Sequence, residues 1–204
     1  PELNATREAV LRDRVSHIPD VVVDLRRYPG DVQPGSVHPL DLVPTGIPNM
    51  FLLDLLHAHF GPSIGHFDFS PIIPFTGEAA ARHEKMVTDL LDEYDLVAGF
   101  GWLAQSRSLI GACMVLFDTN DPDEASRARE AVDRMIVQAS EWGWSEYRGH
   151  VTISEQIASL YSGNDNSLRR LYSTLKDALD PAGVLSPGNH GIWPGTHWSQ
   201  PSSH

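Results

Sequence analysis

Apolar positions recur along the chain with two different periods, and the switches between them mark the elements. Residues 4–17 carry a helical pattern, with Asn4 or Thr6 as cap and Ala9, Leu11 and Val15 facing inward. "VVVDL" at 21–25 reads as a strand, and the proline-rich segment 28–48 as one long irregular loop. Residues 50–57 form a short apolar helix, 64–73 a strand, and 78–92 a helix with Met86, Val87, Leu90 and Leu91 inward. Strands at 95–104 and 108–117 follow, separated by "QSRS". A helix at 123–142 then places Ala128, Val132, Met135 and Ile136 on one stripe. Beyond an extended piece come helical patterns at 152–161 and 165–178 and a coil rich in proline and glycine.

From residue 64 the order is strand, helix, strand, strand, helix, extended piece, which is the order of a split βαβ unit. The expected class is therefore α+β: a ferredoxin-like antiparallel sheet flanked by helices. The 204 residues suffice for one domain with its own core.

Composition narrows the function. Fifteen basic against 27 acidic residues give a formal charge of -12, which argues against nucleic acid or an anionic membrane as partner. The single cysteine, Cys113, excludes an internal disulfide and fits a reducing, cytoplasmic location. No apolar run reaches the roughly 20 residues of a membrane-spanning helix. "GFGWLA" at 99–104 has the glycine spacing of a dinucleotide-binding turn, but it runs towards a second strand rather than opening a helix. Ser173 and Lys176 match a hydrolase spacing yet lie mid-helix. The histidines, such as His57, His59, His190, His197 and His204, have no carboxylate or cysteine at metal-ligand spacing, so no metal is expected.

Two stretches carry more. In "GHFDFSP" strand alternation puts His66, Asp68 and Ser70 on one face and Phe67 and Phe69 on the other. A solvent-facing strand and a polar cavity wall both fit that pattern. "GWSEYRGH" at 143–150 sets Glu146, Tyr147 and Arg148 side by side, which reads either as a solvated rim or as three groups aimed at one ligand.

The tail "LKDALDPAGVLSPGNHGIWP" is similar to the C-terminal signature of the vanillyl-alcohol oxidase and 4-cresol dehydrogenase flavoproteins. "GWSEYRGH" resembles that family's GW-x-EYR-x-H stretch, and "GHFDFSP" falls where its histidine-linked members bond the flavin. The intervals agree too, with 81 residues from His66 to Tyr147 and 42 from Tyr147 to Asn189.

The resemblance implies an FAD-dependent oxidase or dehydrogenase acting on para-substituted phenols: 4-hydroxybenzyl alcohols, 4-alkylphenols or 4-allylphenols. Tyr147 and Arg148 would be the catalytic pair on the phenolic oxygen. His66 would be the covalent flavin link, with Arg148 and Asn189 also at the cofactor, and Asp68 and Glu146 would join Tyr147 around the substrate. Relatives usually carry lysine at the Asn189 position and an apolar residue at that of Asp68. Residues 1–150 would belong to the substrate (cap) domain, 151–194 would return to the flavin, and 195–204 would be a tail. The expected partners are a phenolic substrate, an N-terminal FAD-binding domain absent from this chain, oxygen or a cytochrome as acceptor, and a second copy in a homodimer. The absence of an initiator methionine before Pro1 accords with that reading. The competing expectation is a stand-alone, non-catalytic binding or assembly module with the same fold.

Overall fold

The computed structural model describes residues 2–23, 26, 28, 33–42 and 46–195. They fall into two compact units, Pro1–Leu55 and Leu56–His204.

In the first unit, α1 (Glu2–Val15) forms where a helix is expected, but its inner face does not. Ala9 is exposed, Leu11 is 46% exposed, and only Val15 is half-buried. The sequence is charged nearly all round, so local propensity and pairs such as Arg12–Glu8 at 3.1 Å hold the helix instead of an apolar stripe. The strand expected at 21–25 is absent over 21–23, where Val22 is 88% exposed; Asp24 and Leu25 lie outside the described residues. β-branched residues without a pairing partner do not make a strand. Short 3-10 turns at Pro34–Ser36 and Pro39–Asp41 break the loop, and Tyr28 donates to Asp41 at 2.7 Å.

Helix α2 (Phe51–Phe60) follows, its first turn capped by Asn49, which accepts from the Phe51 N–H at 2.9 Å. The apolar run at 64–73 then forms two strands, β1 (Ile64–Phe69) and β2 (Pro71–Pro74). Helix α3 (Gly77–Tyr94) starts where Thr76 accepts from the Ala79 N–H and ends at Asp95 in a left-handed conformation. Strands β3 (Val97–Ala104) and β4 (Ser108–Asp118) come next. Helix α4 (Pro122–Glu141) has Asp121 as a two-bond cap and Pro122 at its first position. The extended piece is the two-residue β5 (Ser145–Glu146).

Both β1 and β2 pair with β4 in one continuous antiparallel register, Phe69 opposite Cys113 and Ile72 opposite Ile110. Together they fill a single lane of the sheet, so the lanes run β5, β1 with β2, β4, β3, all antiparallel. In chain order that is fourth, first, third, second, the split βαβ arrangement anticipated above. Pro71 causes the interruption, since it has no N–H for the ladder.

One face of the sheet packs on α3 and α4. Phe69, Cys113, Val115, Met86, Leu90, Val132 and Met135 form the centre of that core, and the Cys113 thiol is free and buried. Among these apolar groups sits His83, fully buried, its ring stacked on Phe69 at 5.6 Å and edge-on to Trp102 at 5.1 Å. Gly111 makes room for it, because a Cβ there would lie 2.6 Å from the His83 ring. Gly111→Ala should therefore cost about 1–3 kcal/mol through overpacking, read as a lower urea midpoint with unchanged m-value.

After a 3-10 turn come α5 (Ser154–Leu160) and α6 (Gly163–Leu179). Asn164, Asp165 and Asn166 have φ of 49°, 54° and 55°, so the right-handed helix begins beyond them. Asp180 fixes the coil that follows: its carboxylate accepts from the Val184 and Leu185 N–H groups at 3.0 and 2.9 Å and pairs with Lys176 at 2.6 Å. No described helix is long and apolar enough to cross a membrane.

Candidate functional site

The face of the sheet opposite the two helices carries the polar groups of β1. Pleating sends Phe69 and Phe67 to the core and leaves His66 and Asp68 on the other side, as the alternation requires. Their side chains are 30% and 43% exposed, with His66 Nε2 3.8 Å from Asp68 Oδ1. Register puts His66 in a row with Leu116 and Val97, and Asp68 in a row with Met114 and Gly99. Two rows further on, Ile72, Ile110 and Leu103 share the same face. A Cβ on Gly101 would meet nothing within 4 Å. The glycine pattern at 99–104 thus lies in an edge strand, where missing side chains leave the face low.

The EYR stretch divides. Glu146 is drawn inward, while Tyr147 remains 57% exposed and Arg148 is exposed. Glu146 Oε1 accepts from the Ser70 N–H at 2.7 Å, and the Tyr147 N–H donates to the Ser70 carbonyl at 2.9 Å. Glu146 Oε2 is buried and has no hydrogen-bond partner among the described residues. Burial pushes the Glu146 carboxyl up to about 7, the charge on Asp68 adds to the shift, and the Ser70 and Arg148 N–H groups oppose it.

Glu146 and Tyr147 also line a cavity of about 360 Å³, closed by Tyr161, Arg169, Tyr172 and His190 among others. Tyr161 hydrogen-bonds Ser145, and Arg169 is paired with Glu155, which also accepts from Trp193 Nε1 at 3.1 Å. Asn189 is exposed in the 3-10 turn Asn189–Gly191 and lines an adjoining hollow with Lys176 and Asp180, which shares Tyr172, His190 and Ile192 with the cavity. Arg148 does not line the tyrosine cavity.

The structure therefore places His66 with Asp68 on the sheet face, and Glu146 with Tyr147 at the cavity. It joins those pairs through Ser70 and sets Asn189 in the hollow next to the cavity. Sequence reading missed Tyr161, Arg169, Tyr172 and His190 as cavity residues. The available signal was the helical spacing of Leu168, Tyr172 and Leu175.

Residues 63–190 match the family described as FAD linked oxidases, C-terminal domain. The 4-cresol dehydrogenase [hydroxylating] flavoprotein subunit of Pseudomonas putida is 25% identical over 163 residues, 80% of this chain and 30% of that protein. A 4-ethylphenol oxidase from Gulosibacter chungangensis, solved as its isoeugenol complex, superimposes with a TM-score of 0.70 and 31% identity over 75% of this chain and 29% of its own. p-Cresol methylhydroxylase with substrate bound gives 0.64 and 25%, over 72% of this chain and 28% of its own. The chain spans under a third of the length of these relatives.

Proposed function

The chain belongs to the C-terminal domain family of FAD-linked oxidases, within the vanillyl-alcohol oxidase and 4-cresol dehydrogenase group, and from that premise we propose that it is the substrate-side part of an enzyme oxidising para-substituted phenols. The observation that carries this reading is the accessible His66–Asp68 face, tied through Ser70 to the segment bearing Tyr147 and Arg148.

The residues present fit FAD. The low surface over Gly101, with Val97 and Leu103 58% and 48% exposed beside it, suits a planar ring system, and the His66 imidazole is accessible on the same face. His66 would carry the covalent link, and Arg148 and, by correspondence of position, Asn189 would lie near the cofactor. When bound, FAD supplies the hydride acceptor.

The chain's own residues would prepare the substrate. A guanidinium and a tyrosine hydroxyl at the phenolic oxygen favour its ionised form by charge and hydrogen bonding. Loss of a benzylic hydride from a phenolate leaves a neutral quinone methide, so ionisation at the far end of the ring lowers the barrier. The Arg148 charge would also steady negative charge arriving on the cofactor. Asp68 would contact a polar substituent of the substrate, because a carboxylate covered by a bound ring needs a donor. An N-terminal FAD-binding domain, a second copy, and oxygen or a cytochrome would complete the system.

The test uses the whole protein, mixed anaerobically with 4-ethylphenol or vanillyl alcohol while the flavin absorbance is followed. Bleaching is expected. Binding of these phenols without bleaching would overturn the enzymatic reading in favour of a non-catalytic module. Flavin should also remain with the polypeptide after acid precipitation and become dissociable in His66→Ala. Peptide mapping that finds the flavin on another residue would remove His66 from its role.

A further inference from the structure

We propose that Glu146 is a positioning residue: its carboxyl locks the break between β1 and β2 onto β5, and so fixes the His66–Asp68 face relative to Tyr147 and Arg148. The consequence for catalysis rests on the function proposed above; the lock itself does not.

Ser70 is the one residue at which the first lane of the sheet is interrupted, and both of its backbone polar groups are satisfied from the far side. Its N–H goes to Glu146 Oε1 at 2.7 Å and its carbonyl receives the Tyr147 N–H at 2.9 Å. Both distances lie within the normal hydrogen-bond range. Asp68 lies two residues before this clamp, and Tyr147 and Arg148 directly follow its other half. A change of position at Glu146 is therefore transmitted to both halves of the site with little slack.

The second oxygen makes the lock sensitive to protonation. Oε2 is shut off from solvent and lacks a partner among the described residues, so the ionised form carries unmet hydrogen-bonding capacity. The groups around the carboxyl are Asp68 on β1, Cys113 on β4 and the Arg148 N–H, and the cavity it lines also carries Tyr161 just beyond α5, Arg169 and Tyr172 on α6, and His190. Asp68 disfavours a second negative charge, and Arg169 is already engaged by Glu155. Protonated on Oε2, Glu146 still accepts from Ser70 through Oε1. Ionised, it adds a negative charge behind Tyr147, where it opposes the phenolate.

The experiment compares Glu146→Gln and Glu146→Ala in the whole, flavin-loaded protein. Glutamine keeps an acceptor for the Ser70 N–H and cannot ionise. Glu146→Ala should lower kcat about 10–100-fold with little change in KM, as expected of misplaced rather than missing groups. At pH 6 Glu146→Gln should lie well above Glu146→Ala in kcat, and it should lack the decline in kcat/KM expected of the native protein as pH rises through about 7. Deuterium exchange of peptides covering 64–74 and 143–150 should quicken in Glu146→Ala and not in Glu146→Gln.

Native kcat and native exchange in Glu146→Ala would overturn the proposal. Should the alanine variant fail to fold, a decline near pH 7 that persists in Glu146→Gln would overturn it equally. If the native protein oxidises no phenol, the functional reading fails, and faster exchange in Glu146→Ala alone still supports the lock.

Discussion

Arg148→Lys in the whole protein is expected to slow flavin reduction by a phenolic substrate about 10²–10³-fold, the loss typical of removing one donor from an anion-stabilising site. Lysine preserves the positive charge, so simple electrostatic attraction predicts almost no effect. The planar guanidinium differs in presenting several N–H groups in fixed directions, enough to address the phenolic oxygen and the cofactor together. A single ammonium on a flexible stem can serve one of them at a time. Arg148 is exposed and outside the core, so the fold should survive the substitution and circular dichroism should be unchanged. Anaerobic stopped-flow measurement of flavin reduction decides the matter. Native rates in the lysine variant would make Tyr147 and Arg148 a solvated rim.

The sheet and its two helices could be read from periodicity because each has one buried face, and burial is what imposes a period. Where burial is weak the reading fails. Helix α1 exposes Leu11, and the apolar run at 21–23 pairs with nothing among the described residues, so neither hydrophobic pattern reports a packed surface. The break between β1 and β2 was hidden for another reason. Pro71 marks a weak point, but the partner that takes the Ser70 N–H is a side chain 76 residues away. No local window contains that information.

The site was legible unevenly. Strand alternation alone set His66 and Asp68 on a common face, since a period of two leaves no other arrangement. The triplet Glu146, Tyr147, Arg148 defeats the same logic. Three adjacent polar residues suggest one environment, yet Glu146 is half-buried while Tyr147 and Arg148 stay exposed. The cause is tertiary: the backbone N–H of Ser70 donates to the Glu146 carboxylate and holds it there. The glycines at 99 and 101 were likewise visible as a pattern, but only pairing with β4 shows that they flatten the face beside Asp68.

Stability should fall by about 3 kcal/mol between pH 7 and pH 4 through His83 alone, and His83→Phe should abolish that component. The histidine occupies a core position of α3, spaced with Ala79, Met86, Val87 and Leu90 as an apolar residue would be. Neither ring nitrogen has a hydrogen-bond partner among the described residues, and burial lowers its pKa to about 4. In the unfolded chain the same imidazole titrates near its ordinary value of about 6.5. Between those two values the unfolded state binds a proton that the folded state refuses, so acid favours unfolding across that window. Above it both states are neutral; below it both are charged and the loss is complete. Asp180, held low chiefly by Lys176, adds its own loss further into acid, and the native-minus-variant difference cancels that contribution. Phenylalanine keeps an aromatic ring against Phe69 and removes two unmet polar atoms, so at pH 7 it should be neutral or stabilising despite the slightly larger ring. Urea unfolding of both proteins at pH 7, 6, 5 and 4 measures the difference directly. Parallel slopes would mean that the His83 imidazole is protonated inside the core or reached by water there, and a buried ring stacked on Phe69 with an aromatic edge at Trp102 gives a charge nothing to pair with.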